Sequence, residues 1–250
     1  MSSDVTSNPL VSDAALEVRG LRLGYGATEI VKGVDIAARR GAVTTIIGPN
    51  GSGKSTLIRG LAGLLRPLGG SIWLEGRDLT ALPAVRRVAE GVGYVPQEAN
   101  IFRNLGVAEN LRLATEFVPG RQSSARERDE ILALFPDLAV RGALAAGRLS
   151  GGQRQMLAMA CALLARPSIL LLDEPSAGLS PRLVAETMQT VREVCDRGVS
   201  ILMIEQNVAA ALPVSDQVVV LVAGRVRLQS AADRLLVDHN LHRLYLGEAA

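Results

Sequence analysis

The chain has 250 residues, of which 48% are hydrophobic and 21% are charged, and its formal net charge at pH 7 is +2. This length accommodates one large α/β domain or one domain with an inserted lobe. The charge balance excludes a strongly basic nucleic-acid footprint, and aromatic residues, at 3%, are too few for platforms on which bases stack. We therefore expect no nucleic acid among the partners. The pairs Arg39–Arg40 and Arg86–Arg87 are interpreted as solvated surface charges.

The sequence contains no apolar run close to the roughly 18 residues of a membrane-spanning helix, so any membrane role is expected to go through a partner protein. Residues 1–9 lack the basic start and the apolar stretch of a signal peptide. Residues 1–13 are predicted to be a disordered N-terminus. The two cysteines, Cys161 and Cys195, fall on helical apolar stripes and are interpreted as core residues in a reducing compartment.

The first structural signals are short apolar runs between residues 16 and 36, which are broken by glycines and predict antiparallel strands. A strand is predicted at residues 43–47 and is followed by an amphipathic helix. Further strands are predicted at residues 71–74 and 92–95.

Residues 98–148 change character, and we interpret them as a mostly helical insertion. Amphipathic helical patterns occur at residues 107–117 and 125–135, with a loop between them. Strands and helices then alternate again. These later elements are a helix at 156–165, a strand at 169–172, a helix from Pro181 that is capped by Ser180 and stopped by Gly198, a strand at 199–204, and a hairpin of 218–222 with 225–228. Continuously apolar strands between helices predict an α/β fold whose mainly parallel sheet is covered on both faces.

Residues 48–55 read Gly-Pro-Asn-Gly-Ser-Gly-Lys-Ser and match the phosphate-loop pattern Gly-x-x-x-x-Gly-Lys-Ser between a strand and a helix. Gly51 and Gly53 let backbone N–H groups curl around an anion, and the helix N-terminus adds a favourable dipole. Lys54 is expected to reach the outer phosphates, and the Ser55 hydroxyl is expected to bind the accompanying Mg²⁺. The alternative is a chance glycine-rich turn, but the strand before it and the helix after it favour a nucleoside triphosphate site.

Two adjacent carboxylates, Asp173 and Glu174, directly follow the apolar strand predicted at residues 169–172. In phosphate-loop NTPases a strand-end aspartate helps to hold the magnesium ion, and Asp173 fits that role. Glu174 is expected to accept a proton from an attacking water, which typically supplies about 10²–10⁴-fold in rate. The alternative is an acidic turn that merely closes a strand, which the upstream phosphate loop disfavours.

Residues 149–153, Leu-Ser-Gly-Gly-Gln, stand at a helix start and predict a second anion-binding nest. Spacing alone leaves open a plain glycine-rich helix cap. If the nest binds an anion, the simplest explanation is a dimer with a second copy of the chain. In such a dimer, each nest would close over the nucleotide bound by the partner subunit.

With these motifs in this order, the chain resembles the nucleotide-binding subunit of ATP-binding cassette (ABC) transporters over roughly residues 14–247, and Leu149 to Gln153 match that family's signature letter for letter. The resemblance implies an ABC-type cassette at residues 14–250, with a mainly parallel sheet core, an antiparallel β subdomain and the helical insertion at 98–148. It also implies ATP and Mg²⁺ as cofactors and ATP hydrolysis as the activity.

The same resemblance assigns the binding residues. The triphosphate contacts fall on Gly48, Pro49, Asn50, Gly51, Ser52, Gly53, Lys54, Ser55 and Thr56, and the partner subunit adds Ser150, Gly151, Gly152 and Gln153. Tyr25 stands at the adenine-stacking position, although an ordinary half-buried strand residue is the alternative. Gln97 stands where the family touches the metal and senses the membrane partner, and the alternative there is a plain loop residue. Residues 176–179 occupy the loop that crosses the dimer interface.

Two departures from the family pattern bear on activity. The family often ends its interface loop in an aspartate, where this chain has Ser180, and it usually places a histidine where this chain has Gln206. A glutamine amide donates and accepts hydrogen bonds but cannot become cationic, so it stabilises transition-state charge less. The sequence therefore predicts either hydrolysis with a glutamine switch or a slow site whose partner subunit carries more of the turnover.

The triplet Glu205-Gln206-Asn207 and the run Gly178 to Pro181 resemble one of the two ATPase subunits of branched-chain amino acid uptake systems. That subgroup implies transmembrane permease subunits, a second ATPase subunit paired head to tail in a homodimer or heterodimer, and, indirectly, a substrate-binding protein. It also implies a place on the cytoplasmic face of the inner membrane, held through the permease. The alternatives are a soluble non-transport ABC protein and an ATP-binding subunit with weak hydrolysis.

Overall fold

The computed structural model describes residues 13–98, 100–116, 118 and 123–237, so the predicted disordered N-terminus lies outside this part of the chain apart from Asp13. The described strands are β1 (Ala14–Tyr25), β2 (Thr28–Arg39), β3 (Val43–Ile47), β4 (Gly69–Leu74), β5 (Arg77–Asp78), β6 (Val92–Val95), β7 (Ile169–Asp173), β8 (Ser200–Ile204), β9 (Gln217–Val222) and β10 (Arg225–Ala231). The described helices are α1 (Lys54–Leu61), α2 (Ala84–Ala89), α3 (Val107–Glu116), α4 (Ala125–Leu132), α5 (Pro136–Ala139), α6 (Gly151–Leu164), α7 (Pro181–Asp196), α8 (Val208–Ala211) and α9 (Ala232–Val237). Within the described residues, no helix has the length and hydropathy to cross a membrane.

A six-stranded sheet in the order β10-β9-β3-β8-β7-β6 forms the centre of the molecule. Strands β9, β3, β8, β7 and β6 run parallel, and β10 pairs antiparallel at one edge. Every residue of β3, β7 and β8 is buried. On β7, Leu170 and Leu172 pack in one core with the helices, whereas Ile169 and Leu171 pack in a second core with α1. The predicted parallel sheet with two covered faces is therefore confirmed.

The N-terminal strands form a second, antiparallel sheet in the order β2-β1-β4-β5. Its buried residues, such as Leu21 and Val34, share a core with Leu57 and Leu61 of α1. This confirms the antiparallel strands predicted between residues 16 and 36. They are longer than the glycine pattern indicates, at 12 residues each, because bulges shift the register and let pairing continue past the glycines.

The described residues between β6 and β7 form the helices α3 to α6, and α3, α4 and α5 pack against α6. The helix predicted at residues 125–135 ends earlier, at Leu132, and α5 begins at Pro136. The reason is local, since the residue before a proline is pushed out of helical conformation, and Phe135 has φ −131° and ψ 64°. The bounds 98–148 of the helical insertion stay a prediction.

Helix α6 begins at Gly151, earlier than the predicted start at residue 156. Ser150 Oγ accepts the Gln153 N–H at 3.2 Å, and Gln153 Oε1 accepts the Ser150 N–H at 3.1 Å. This capping box satisfies N–H groups that have no acceptor within the helix, so both glycines are drawn into the first turn.

The interpretation of the arginine pairs as solvated charge is correct for three residues and wrong for Arg87, which is 1% exposed. Its guanidinium donates to the carbonyl oxygens of Gly60 and Leu61 at the C-terminal end of α1, both at 2.7 Å. It also donates to Leu82 at 2.9 Å and to Thr80 at 3.2 Å, in the turn before α2. Burial lowers the pKa of Arg87 to about 10, and the cation suits a helix C-terminus, where free carbonyls carry partial negative charge.

Replacing Arg87 by methionine is expected to lower the free energy of unfolding by about 2–4 kcal/mol, because each buried carbonyl left without a donor costs about 1–3 kcal/mol. Urea denaturation followed by circular dichroism measures the loss. The matched control is Arg86→Met on the exposed side of the same helix, which should change stability by less than about 0.5 kcal/mol. Equal losses in the two variants would contradict the capping role of Arg87.

Candidate functional site

The candidate site lies at the carboxyl edge of the central sheet, where three parallel strands end together. Ile204 of β8 lies opposite Ile46 of β3 and opposite Asp173 of β7. The phosphate loop that follows β3, the acidic pair at the end of β7 and the loop that follows β8 therefore meet at one place. Ligands of open α/β sheets bind outside the carboxyl ends of the strands.

The phosphate loop passes from β3 into α1 through backbone conformations that suit glycine. Gly51 and Gly53 have φ values of +77° and +102°, a region that most other residues avoid. A Cβ on Gly48 would lie 2.1 Å from the carbonyl oxygen of Leu221, so no side chain fits there. The first turn of α1, which begins at Lys54, presents backbone N–H groups with no acceptor inside the helix, as an anion site requires.

The turn between β9 and β10 braces the phosphate loop from outside. The Gly224 N–H donates to the carbonyl oxygen of Ser52 at 2.9 Å, and the Gly224 carbonyl accepts the Lys32 N–H at 2.8 Å. Ala223 and Gly224 both have positive φ, and a Cβ on Gly224 would lie 1.9 Å from the carbonyl oxygen of Ile30. The buried Ser52 hydroxyl has no hydrogen-bond partner among the described residues, which leaves a donor in the loop for a ligand.

Lys54 is buried beneath the phosphate loop. Its ammonium donates to the carbonyl oxygens of Gly48 at 2.7 Å and Pro49 at 3.2 Å. Burial lowers the pKa of Lys54, and the charges of Glu174 and Asp173 oppose that shift. The cation therefore lies within electrostatic range of both carboxylates.

Asp173 has the environment of a metal-binding carboxylate. The Tyr94 hydroxyl donates to Asp173 Oδ2 at 3.3 Å, whereas the buried Oδ1 has no hydrogen-bond partner among the described residues. Burial raises the pKa of Asp173 to about 6, and the hydrogen bond from Tyr94 opposes the shift. A buried carboxylate oxygen without a partner fits Mg²⁺, which relieves the cost of leaving that oxygen unpaired.

The other two predicted metal ligands, Ser55 and Gln97, are exposed at the start of α1 and in the loop after β6. In the described part of the chain, no group of three or more histidine, cysteine, aspartate or glutamate side chains is arranged so that it could hold a metal ion by itself. Mg²⁺ does not need such a cage, because it usually binds through one or two protein oxygens together with water and substrate phosphates. The residue types predicted for the metal site therefore fit the ion.

Glu174 and Gln206 are brought together, although they lie far apart in the sequence. Glu174 has a positive φ of 48°. This backbone conformation costs free energy in a residue other than glycine, and such strained residues cluster at functional sites. Its carboxylate Oε1 accepts the Gln206 side-chain amide at 2.7 Å. The sequence predicts that Gln206 takes the place of the family's histidine as a switch in hydrolysis, and the structure adds a contact between Gln206 and the proposed base.

The signature segment, residues 150–153, is not brought to the phosphate loop of its own chain. It forms the first turn of α6, which packs mainly on α3, α4, α5, α7 and β6, whereas α1 packs mainly on β1, β2, β7 and β8. A Cβ on Gly151 would lie 3.4 Å from Leu179, and one on Gly152 would lie 3.0 Å from Leu183. The segment is thus backed by the loop before α7 and by α7 itself.

Tyr25 ends β1 and is 49% exposed. The following strand reaches the phosphate loop, because a Cβ on Gly53 would lie 3.3 Å from Ile30 Cγ2. Tyr25 is therefore an exposed ring in the hairpin whose second strand contacts the phosphate loop, which suits its proposed contact with adenine.

Sequence reasoning missed Tyr94 as a partner of Asp173 and Glu205 as a buried carboxylate behind Gln206. Glu205 carried a signal, since it directly follows the apolar strand β8 just as Asp173 ends the apolar strand β7. Tyr94 carried none, because its hydroxyl reaches Asp173 only through strand pairing.

A family model described as "ABC transporter" matches residues 31–177. The chain is 40% identical to "Probable branched-chain amino acid transport ATP-binding protein LivF" of Archaeoglobus fulgidus, over 91% of this chain and 96% of that protein. It is 34% identical to "Lipopolysaccharide export system ATP-binding protein LptB" of Acidithiobacillus ferridurans, over 93% of this chain and 97% of that protein. A solved structure, described as a nucleotide-free ATP-binding cassette from an ABC transporter, superposes with a TM-score of 0.83 at 28% identity and covers 94% of this chain and 100% of that one.

The structural likeness confirms the predicted ABC-type α/β fold. The family match covers more than half of the chain, and the relatives match nearly all of it. With a phosphate loop, a buried aspartate that fits Mg²⁺ and a glutamate base candidate at one sheet edge, the chain belongs to the ABC transporter family, as an ATP-binding subunit that hydrolyses ATP.

Proposed function

We propose that this subunit powers a membrane importer for branched-chain amino acids or a related small solute. The observation that carries the proposal is the Glu205-Gln206-Asn207 segment, whose Gln206 contacts Glu174 where the family usually has a histidine. Identity to the relative named for branched-chain amino acid transport, 40%, exceeds that to the relative named for lipopolysaccharide export, 34%. Export of a lipopolysaccharide is the competing assignment.

In the proposed reaction the backbone of residues 48–56 and Lys54 hold the triphosphate, and Ser55, Asp173 and Gln97 hold Mg²⁺. The ion supplies charge neutralisation at the phosphates when it is bound. Glu174 accepts a proton from a water whose oxygen attacks the γ-phosphorus, while the bond to the β,γ-bridging oxygen breaks and ADP leaves. Gln206 orients the Glu174 carboxylate by donating to one of its oxygens, which leaves the other free for the water.

Residues 150–153 are proposed to complete the site of a second ATPase subunit. The Ser150 hydroxyl and the N-terminus of the 14-residue helix α6 offer donors to an anion. Because this segment and the phosphate loop are built on different elements, a head-to-tail pair would place each signature over the other subunit's nucleotide. Residues 176–179 would lie between the two sites.

The permease is proposed to dock where β6 leads into the helical segment. Gln97 is exposed there, and Phe102 is 63% exposed a few residues later. An exposed aromatic ring beside a polar loop is typical of a protein interface. Docking at this point would hold the subunit at the cytoplasmic face of the inner membrane, where it would act downstream of a substrate-binding protein.

Deleting the gene in its own organism is expected to abolish high-affinity uptake of labelled leucine, isoleucine and valine, which a plasmid copy should restore. A copy carrying Glu174→Gln is the matched control, because it should assemble but not power transport. Normal branched-chain uptake together with a defect in lipopolysaccharide export would overturn the import assignment in favour of its competitor.

Glu174→Gln is expected to lower ATP hydrolysis by about 10²-fold or more, because it removes the general base. The amide is nearly isosteric with the carboxylate, so MgATP binding should persist and an ATP-bound dimer should accumulate. Phosphate release and size-exclusion chromatography with MgATP test both effects, and the exposed Glu193→Gln on α7 is the control. Wild-type turnover in Glu174→Gln would remove Glu174 from the mechanism.

Gln206→Ala is expected to lower kcat by about 10- to 100-fold, since a hydrogen bond to a charged group is worth about 1.5–3 kcal/mol. The KM for MgATP should change little, because the amide acts on Glu174 in the reacting state. Steady-state kinetics measure the effect, with the exposed Gln189→Ala on α7 as the control. An unchanged kcat would show that ATP hydrolysis by this subunit does not depend on Gln206.

A further inference from the structure

Glu205 is a buried carboxylate to which the proposed reaction assigns no role. It directly follows β8 and is 1% exposed. Its Oε1 accepts the Ser176 N–H at 2.9 Å, and its Oε2 accepts the N–H groups of Gln206 at 3.1 Å and Asn207 at 3.4 Å. Among the described residues no lysine or arginine pairs with it, so backbone donors satisfy this charge.

The donors belong to two loops that carry the hydrolytic pair. Ser176 stands two residues after Glu174 in the loop that follows β7, and Gln206 directly follows Glu205 in the loop after β8. The backbone pairing of β7 and β8 ends at Asp173 and Ile204, with one further hydrogen bond from the Glu174 N–H to Ile204. Past that point, the Glu205 carboxylate and the Gln206–Glu174 contact are the hydrogen bonds found between the two loops in the described residues.

We propose that Glu205 is a positioning residue that fastens the loop after β7 to the loop after β8 and so sets the contact between Gln206 and Glu174. The proposal rests on the proposed roles of those two residues. One oxygen of Glu205 holds the loop of the base, and the other holds the backbone of the residue that orients the base. Because Ser176 also opens the segment proposed to reach the second subunit, a shift of that segment would pull on Glu205 and change the geometry of the pair.

The charge and both oxygens of Glu205 are needed for this role. A glutamine in its place keeps one acceptor oxygen but turns an NH₂ group toward backbone N–H donors. Its single acceptor oxygen can accept hydrogen bonds from the Ser176 N–H or from the N–H groups of Gln206 and Asn207, so one of the two loops loses its hydrogen bond to residue 205. The two loops would then be held separately.

A double-mutant cycle tests the proposal against a merely structural role. Glu205→Gln is expected to lower kcat by about tenfold while the KM for MgATP changes less than about twofold. In a Gln206→Ala background the same substitution should cost less than about threefold, because the contact that Glu205 sets is already gone. Losses that multiply in the double variant would overturn the proposal.

The control is Thr44→Val, which removes the buried hydrogen bond from Thr44 Oγ1 to Gln217 Oε1 at 3.1 Å elsewhere in the same sheet. It should lower thermal stability while leaving kcat unchanged, and a kcat loss equal to that of Glu205→Gln would refute the positioning role. If Glu205→Gln does not fold, Glu205→Asp carries the same cycle, because it keeps the charge and loses the reach. Full turnover in Glu174→Gln would reject the proposed role of Glu174 as the base, on which this inference rests, whereas an inactive Glu174→Gln with multiplying losses rejects the role of Glu205 alone.

Discussion

Parallel strands end at the same edge of a sheet, and in this molecule that geometry assembles the site from three distant stretches of sequence. Ile46, Asp173 and Ile204 lie side by side across β3, β7 and β8. A shift of one residue in either pairing would turn the side chains of that strand toward the opposite face. Close packing protects the register, because all three strands are fully buried and such a shift would force their side chains to repack on both faces. The two hydrophobic cores thus fix the positions of the strand ends that carry the site, although the core residues do not contact a ligand themselves.

Three carboxylates lie near this edge of the sheet, and hydrogen-bond donors offset the cost of taking each of them out of water. Asp173 receives a hydrogen bond from Tyr94, Glu174 from the Gln206 amide, and Glu205 from backbone N–H groups. Two of them would face the polyanionic tail of a nucleotide, which they would repel. Lys54 lies among them, and a divalent cation would supply the remaining positive charge. The need for Mg²⁺ in the proposed reaction follows from this balance as well as from phosphate chemistry.

The sequence reveals features whose cause is local. The phosphate loop could be predicted because its glycines, lysine and serine are consecutive, and the central strands because short, continuous apolar runs between turn residues favour buried strands. Arg87 could not be placed, since its acceptors lie in α1 and in a turn that the sequence does not link to it. The Gln206–Glu174 contact was hidden for the same reason, because it depends on strand pairing between residues far apart in the chain. Helix ends at Leu132 and Gly151 were missed where a proline or a capping box outweighed the apolar period.

The turn between β9 and β10 is a two-residue connection of the kind that ordinarily tolerates insertions and fusions, since loop tips accept added sequence easily. Here both backbone groups of Gly224 are occupied, one by the phosphate loop and one by β2. A tag or reporter inserted at this point would break the hydrogen bonds of Gly224 to the phosphate loop and to β2. Binding of the triphosphate would then weaken, even though the insertion lies outside the binding site. Insertions into this subunit should therefore be placed elsewhere than in the turn between β9 and β10.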